Sequence, residues 1–210
     1  MVSPPRSRSG GSESRGQAHT LEGLVAGLVI LSAVVFALEM TAVTPLSAST
    51  SSQHIENQQE ATARGVLAAA AENGSLKQTL LFWNETGERF WNASETSASN
   101  YYTTDPPPTE FGRMLNRSFD REGIAYNVYL RYDGSDGPRT VQRLVYQGRP
   151  SDNAVRATRP VVVYKNDSLY DHNEDWTETN VTDASTLYLP DASSSSVYNV
   201  VRVEVVVWRI

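Results

Sequence analysis

The chain has 210 residues, a net charge of −6 and 40% hydrophobic residues, which is the composition of an ordinary globular protein. It contains no cysteine, which excludes a disulfide scaffold, a CxxC metal or redox site and a cysteine nucleophile. The acidic body lacks the clustered Lys and Arg that a nucleic-acid backbone requires, so we expect no nucleic-acid partner. Lysine occurs only at Lys77 and Lys165, and an acidic, lysine-poor surface suits high salt.

A long apolar segment lies near the amino end. Residues 23–38 read GLVAGLVILSAVVFAL, with Ser32 as the one polar side chain and no charge. At ~1.5 Å per residue, a helix that continues to Val43 approaches the ~30 Å of a bilayer core. Residues 1–16 hold three arginines and one glutamate. The positive-inside rule therefore predicts a cytoplasmic amino end and residues 46–210 outside the cell.

Two simple interpretations of this segment stay open. A secretory signal peptide has similar basic and apolar regions, but this apolar run is slightly long and Glu39 follows it. The nearby small-residue triplets, such as Leu46-Ser47-Ala48, are poor cleavage sites. A plain signal anchor instead explains Glu22 as a carboxylate in the first helical turn, where it complements the positive end of the helix dipole.

The residues before the apolar run favour a third interpretation. The string Arg15-Gly16-Gln17-Ala18-His19-Thr20-Leu21-Glu22-Gly23 places a cation, a glycine, polar residues and a glutamate ahead of a long apolar helix. It resembles the class III signal of archaeal type IV pilins and archaellins, and residues 15–50 resemble pilin-like proteins of halophilic archaea. The resemblance implies that a prepilin peptidase cuts after Gly16 and leaves Gln17 as the new amino terminus. Glu22 would then be sixth after the cut, whereas the family's glutamate usually stands fifth.

The resemblance also implies a helix that is retained, first in the membrane and then against other pilin-like subunits. A carboxylate at the edge of hydrocarbon is costly unless it finds a partner. The freed amine of Gln17 on a neighbouring subunit would be such a partner for Glu22. The expected membrane and assembly residues are Glu22, Gly23, Leu38 and Pro45. The alternative is a single-pass ectodomain that never polymerises and serves as a binding or accessory module.

The helical pattern continues beyond the apolar segment. Pro45 lacks an amide hydrogen and should kink or end the first helix near Thr44. Good helix formers predict a second helix over residues 52–72, with Asn73-Gly74 as its stop. The expected divisions are a basic leader at 1–16, a membrane or pilin helix at 17–45, and an extracellular domain at 46–210 that comprises a helix at 46–74, helices and loops at 75–122 and an antiparallel sheet at 123–210.

The middle of the chain predicts short helices and one long loop. Residues 75–83 and 110–120 are the expected helices, the second following the stiff Pro106-Pro107-Pro108 stretch. Residues 87–105 are rich in Ser, Thr and Asn and predict an exposed loop.

Alternating apolar residues predict strands in the last third. The expected strands are 124–132, 139–147, 159–165 and 197–210, and the loop Asp133-Gly134-Ser135-Asp136-Gly137 predicts a hairpin between the first two. Each strand and helix has one apolar face to bury. The sequence therefore predicts an α+β fold, with a long kinked amino-terminal helix packed on an antiparallel sheet of about four strands.

Six Asn-x-Ser/Thr sequons follow the apolar segment and none precedes it. They are candidate glycosylation sites of an external surface, although compositional bias in a chain rich in Ser and Thr is an open alternative. The six are Asn73, Asn84, Asn92, Asn116, Asn166 and Asn180. Trp83 and Trp91 precede two of them, and we expect these rings in the core rather than against a sugar.

Motifs of catalysis and metal binding are missing from the sequence. The three histidines, His19, His54 and His172, form no pair with ligand spacing, and no GxSxG, HExxH or phosphate-binding glycine loop occurs. We therefore expect neither an enzyme nor a cofactor, and a secreted hydrolase is disfavoured. Residues Asp167 to Asp175 cluster carboxylates that could hold calcium, but the segment lacks the spacing and turn glycine of the twelve-residue calcium loop. A solvated acidic loop is the expected structure there.

Overall fold

The computed structural model describes the backbone of residues 13–93, 100–120, 123–135 and 137–210; side chains of residues 13–18 and 40–52 lie outside the described residues. The chain forms two compact units, Met1–Gln53 and His54–Ile210. In chain order the elements are α1 (Glu13–Glu72), α2 (Ser75–Leu80), β1 (Trp83–Asn84), β2 (Arg89–Phe90), α3 (Glu110–Phe119), β3 (Ile124–Asp133), β4 (Arg139–Tyr146), β5 (Val155–Tyr164), β6 (Ser168–Tyr170), β7 (Trp176–Asn180) and β8 (Val197–Arg209).

The helix α1 contains both the apolar segment and the second predicted helix. Its helical backbone runs through Pro45, so the predicted end near Thr44 is wrong. A proline inside a helix removes one backbone hydrogen bond at a cost of about 3 kcal/mol, but it leaves the bonds of the following turns intact. The predicted kink falls in residues 40–52, whose side chains lie outside the described residues.

The ends of the helices follow the local chemistry of the chain. Gly74 ends α1 with a left-handed backbone (φ 79°), as the Asn73-Gly74 stop predicts. The Asn73 Oδ1 accepts a hydrogen bond of 2.9 Å from the amide of Ser75. At the start of α3, the Thr109 hydroxyl accepts from the amide of Gly112 at 3.4 Å, which satisfies a free amide of the first turn. The helices predicted at 75–83 and 110–120 are confirmed, with α2 three residues shorter because Trp83 enters β1.

The four-stranded antiparallel sheet confirms the predicted α+β fold. Its strand order is β4-β3-β8-β5, which places the long carboxyl-terminal strand beside both β3 and β5. The predicted hairpin joins β3 to β4, and the amide of Gly134 donates to the carbonyl of Pro138 at 3.1 Å. The third strand begins at Val155, four residues before the predicted start.

One face of this sheet forms the core of the outer unit. The inward face predicted for β3 and β8 is confirmed, because its side chains are almost completely buried, although Glu204, Val206 and Trp208 on the opposite face of β8 are buried as well. The inward side chains are Tyr126, Val128, Leu130, Tyr132, Val201, Val203, Val205 and Val207. Side chains of α1, including Ala63, Leu67 and Ala70, belong to the same core as Leu115 of α3. The carboxyl-terminal part of α1 is therefore a structural part of the outer unit.

The prediction of an exposed loop over residues 87–105 is wrong for its aromatic positions. Phe90 is fully buried and its ring lies 5.2 Å from that of Trp83, across the short β1–β2 pair. Tyr102 is buried and exchanges backbone hydrogen bonds with Leu144 and Tyr146. Burying these large aromatic rings stabilises the fold by more than the polar residues around them gain from exposure to solvent. Residues 94–99 lie outside the described residues.

Two glycines provide a matched test of the helix packing. A Cβ at Gly112 would lie 1.8 Å from the carbonyl oxygen of Pro107, whereas a Cβ at Gly65 in α1 would meet nothing within 4 Å. We expect Gly112→Ala to lower the free energy of unfolding by about 3 kcal/mol or more through overpacking. We expect Gly65→Ala to raise it by about 0.5–1 kcal/mol through helix propensity.

Denaturant titration of the full chain in detergent measures both changes. Equal effects of the two substitutions would contradict the described packing of α3 against Pro107.

Candidate functional site

The apolar segment of α1 is the first candidate site. It covers His19–Glu39, 21 residues with a mean hydropathy of 2.4, none of it buried. Eleven large apolar side chains are each 51–67% exposed. They are Leu21, Leu24, Val25, Leu28, Val29, Ile30, Leu31, Val34, Val35, Phe36 and Leu38. At ~1.5 Å per residue the segment is about 32 Å long, so the helix is long and apolar enough to span a membrane.

The polar groups of this segment are few and locally satisfied. The Ser32 hydroxyl donates to the carbonyl of Leu28 at 2.8 Å, within the helix. The Glu22 side chain is 80% exposed, and its Oε2 lies 3.7 Å from Nδ1 of His19. The space around Gly23 is open, since a Cβ there would meet nothing within 4 Å. The arrangement permits contact with lipid or with another helix on every side.

The predicted processing residues lie at the beginning of α1. Arg15, Gly16 and Gln17 belong to its first turns, with side chains outside the described residues. Residues 1–12 of the predicted basic leader lie outside the described residues, as does the side chain of Pro45.

The six sequon asparagines are spread over the outer unit. Asn73, Asn92, Asn116 and Asn166 are exposed, whereas Asn84 and Asn180 are half-buried. The amide of Gly87 donates to the Asn84 Oδ1 at 3.1 Å, and the Ser168 hydroxyl donates to the Asn180 Oδ1 at 3.3 Å. The four exposed positions are sterically open to a glycan.

The aromatic residues beside two sequons lie in or against the core, as predicted. Trp83 is buried, and its Nε1 donates to the carbonyl of Thr186. Trp91 is half-buried against the core, with its ring 4.7 Å from the imidazole of His172. That histidine and His19 therefore have identifiable contacts, and neither lies in a metal-binding group among the described residues.

The acidic segment from Asp167 to Asp175 directs its carboxylates to separate partners. Asp167 pairs with Lys77 at 2.8 Å, and Glu174 makes a two-point contact with Arg113 at 2.9 and 3.0 Å. Asp171 accepts from the amides of Asn173 and Asp175. Among the described residues no three His, Cys, Asp or Glu side chains gather to hold a metal, and the segment has the paired charges of a structural loop.

The structure also brings together residues that sequence analysis missed. A polar cavity at the carboxyl end of α3 is lined by Asp105, Asp120 and Tyr126, among others. These residues follow no motif spacing, and Asp105 falls in the segment predicted as an exposed loop. The sequence gives one indication of this cavity, because Tyr126 places a polar hydroxyl on the predicted inner face of β3.

Comparison with known proteins gives one match. The profile of a family described as a family of unknown function (DUF7288) matches residues 15–207, which include the apolar segment and nearly all of the outer unit. No curated protein and no solved structure matches the chain.

The Arg113–Glu174 contact predicts a pH-dependent contribution to stability. The guanidinium of Arg113 lowers the pKa of the Glu174 carboxyl below its usual value. A lowered carboxyl pKa stabilises the fold above the unfolded-state pKa of about 4.3, and this stabilisation is lost as the pH falls through the folded-state pKa. We expect Glu174→Gln to cost less than about 1 kcal/mol at pH 7, because both side chains are nearly half exposed, and to cost nothing near pH 2.

Thermal unfolding from pH 2 to pH 7 measures this difference. Glu178→Gln, which changes an exposed carboxylate on β7, is the matched control with no expected pH-dependent loss. A Glu174→Gln cost that persists unchanged at pH 2 would show that the ion pair is not its source.

Proposed function

Since the chain belongs to DUF7288, a family of unknown function, we propose from its own residues that it is a type IV pilin-like surface subunit. The precursor is cut after Gly16 by a prepilin peptidase, and Gln17 becomes the amino terminus. The apolar segment of α1 then holds the protein in the cell membrane as a single span, with the outer unit outside. The mature protein is a structural and adhesive subunit that joins other pilin-like subunits, in a filament or on the surface, rather than an enzyme.

The main support for this proposal is that α1 is one helix, whose amino-terminal part is exposed and whose carboxyl-terminal part is buried. Leu28 and Val34 are more than half exposed, whereas Leu67 and Ala70 of the same helix lie in the core of the outer unit. A secretory leader is removed and has no need to continue as helix into the mature core. The family profile includes both parts, because its match begins at Arg15. Both facts support a segment that stays with the mature protein.

Glu22 supports assembly through the same segment. A carboxylate next to hydrocarbon is costly unless a cation pairs with it. Cleavage after Gly16 would create such a cation, the ammonium of Gln17, at the membrane edge of a neighbouring subunit. The exposed carboxylate of Glu22 and the open side of Gly23 leave room for that pairing.

One observation favours the second candidate, a single-pass ectodomain that does not polymerise. His19 lies 3.7 Å from Glu22 within the same helix and gives the carboxylate a local partner. A plain anchor needs no intersubunit pairing. The processing of the amino end and the effect of Glu22 substitutions distinguish the two candidates.

The surface chemistry of the outer unit supports an external location. Four of the six sequon asparagines are exposed, and all six follow the apolar segment. We propose that this unit is glycosylated at the exposed sites. The acidic, lysine-poor composition supports a halophilic archaeal setting, where surface carboxylates are screened by salt.

The mature amino terminus tests the processing step. Mass spectrometry of the protein isolated from its native membrane is expected to find a chain that begins at Gln17. A Gly16→Ile variant, whose side chain obstructs the peptidase, is expected to keep the leader. A native chain that begins at Met1 or Val2 would overturn the proposal, while one that begins beyond Leu38 would establish a removable leader.

Two glutamates at opposite ends of the apolar segment test assembly. Glu22→Gln removes the proposed partner of the Gln17 ammonium, whereas Glu39→Gln removes a similar charge at the other end. We expect Glu22→Gln to reduce surface filaments or subunit cross-links by at least about tenfold, which corresponds to a pairing energy of about 1.4 kcal/mol, and Glu39→Gln to leave them near wild type.

Membrane retention is measured in parallel and is expected to be unchanged in both variants. Equal assembly by the two variants would contradict the role of Glu22, whereas a wild type that forms neither filaments nor cross-links would favour the non-polymerising ectodomain.

A further inference from the structure

The face of the four-stranded sheet that points away from the main core is only partly covered. Side chains alternate between the two faces of a strand, so this outer face holds the residues between the inward ones. At one end Ala125, Val206 and Trp208 form a small buried cluster. Towards the other end Val141 and Val200 are 47% and 45% exposed. Among the described residues, that end of the outer face is open.

Arginine is concentrated on this outer face. The outer unit holds 15 Lys and Arg against 21 Asp and Glu, but the outer face of its sheet holds five arginines against two carboxylates. We call these arginines the basic face. They are Arg131, Arg139, Arg143, Arg156 and Arg202, and the two carboxylates among them are Asp133 and Glu204.

The strand register places two of these arginines directly opposite each other. Arg131 of β3 pairs in register with Arg202 of β8, and like charges in opposite positions destabilise an antiparallel pair. The Nε of Arg131 donates to the buried carboxylate of Glu204, and Nη1 of Arg156 lies 4.0 Å from the same carboxylate. Arg202 is exposed and has no ion pair with a described Asp or Glu. An anionic partner would relieve this repulsion.

A shallow pocket lies beside the opposed arginines. Its volume is about 160 Å³, and three arginines of the basic face line it together with Val200 and Pro160. Asp133 lines it too, but its carboxylate is 3.6 Å from Nε of Arg139 and both side chains are largely exposed, which makes this pair weak. Asp136 of the adjoining β3–β4 loop lies outside the described residues. Arginine beside apolar side chains is typical of protein interfaces.

The β6–β7 hairpin carries the complementary combination. Trp176 is 49% exposed, and its ring lies 5.0 Å from that of the buried Tyr170. Asp175 and Glu178 are exposed beside it, and neither has an ion pair with a described Lys or Arg, although Arg159 lines the groove next to Trp176. Tryptophan is a frequent anchor of protein interfaces, and its ring attracts a guanidinium. We call Asp175, Trp176 and Glu178 the acidic hairpin.

We propose that the basic face of one copy binds the acidic hairpin of a second copy of this chain. The carboxylates of Asp175 and Glu178 pair with the arginines around the pocket, and Trp176 covers Val141 and Val200. A second copy is the occupant because one chain carries both patches, which complement each other in charge and in exposed apolar area. High salt screens the long-range attraction, so arginine–carboxylate hydrogen bonds and the burial of Trp176 carry the binding there.

This contact differs from the proposed assembly through α1. Both patches lie in the outer unit, whereas Glu22 and the apolar segment lie in the other unit. A role for the contact within a filament rests on the proposed function, but the contact itself does not. Full-length protein in detergent, where the apolar segment is covered, therefore tests it separately.

Sedimentation velocity in detergent measures the self-association. We expect wild type to associate reversibly by about 100 μM. Arg202→Glu and Glu178→Arg each reverse one charge, on the basic face and on the acidic hairpin, and should each weaken association at least about tenfold. An equimolar mixture of the two variants should recover the wild-type association, because each variant then meets a patch of opposite charge on the other.

Control variants separate this contact from general charge effects. Arg209→Glu reverses an exposed charge at the far end of β8 and should associate as wild type does. Trp176→Ala should weaken association at least about tenfold, as the loss of an interface anchor does. The Tm of the two charge reversals should stay within about 3 °C of wild type, because Arg202 and Glu178 are exposed.

The contact should also be independent of the apolar segment and of the β3–β4 loop. Glu22→Gln should leave association in detergent unchanged. Association that is lost in Glu22→Gln but kept in both charge reversals would place the contact in α1 and overturn the proposal. Asp136→Asn should likewise change nothing, whereas a marked strengthening would contradict the proposal, because the loop carboxylate would then already balance the basic face.

Two further results would overturn the proposal. The first is a mixture of Arg202→Glu and Glu178→Arg that associates no better than either variant alone, because the two patches then do not meet. The second is a wild type that stays monomeric up to about 100 μM. If that monomer binds a polyanion resin and Arg202→Glu does not, the basic face binds an acidic polymer instead of a second copy.

Discussion

The uncovered apolar surface of α1 is the constraint on which the rest of the structure depends. Eleven large apolar side chains lie exposed along one segment, and removing each from water is worth about 1.5–3 kcal/mol, so the sum is on the order of tens of kcal/mol. Lipid or other apolar helices must supply that cover. The same helix supplies Ala63, Leu67 and Ala70 to the core of the outer unit, so one element serves both an exposed apolar segment and a buried core.

Local patterns predict the parts of the fold that depend on local chemistry. The alternation of apolar residues in β3 and β8 predicts both central strands, because it marks the face that packs into the main core; the sequence did not predict the second cluster of Ala125, Val206 and Trp208 on the opposite face. The Asn73-Gly74 stop predicts the end of α1 correctly. Pro45 does not end the helix, since the hydrogen bond it removes is local and the good helix formers of residues 52–72 follow it.

Long-range contacts explain what the sequence could not predict. The burial of Phe90 and Tyr102 depends on Trp83 and on β4, and no local signal in a segment rich in Ser and Thr indicates those partners. The polar cavity at the carboxyl end of α3 likewise brings together Asp105, Asp120 and Tyr126, which are distant in the sequence. The two acidic regions differ in charge pairing, because Asp167 pairs with Lys77 and Glu174 with Arg113, whereas no described Lys or Arg side chain pairs with Asp105 or Asp120.

The absence of cysteine makes a direct measurement of the central claim practicable. A single Val29→Cys substitution marks the apolar segment, and Ser194→Cys marks an exposed position of the outer unit. In intact cells a membrane-impermeant maleimide should label the Ser194→Cys variant at once. It should label the Val29→Cys variant only after detergent is added, with both thiols on membrane-bound mature chains. A mature outer unit released into the medium without the Val29→Cys thiol would contradict the account.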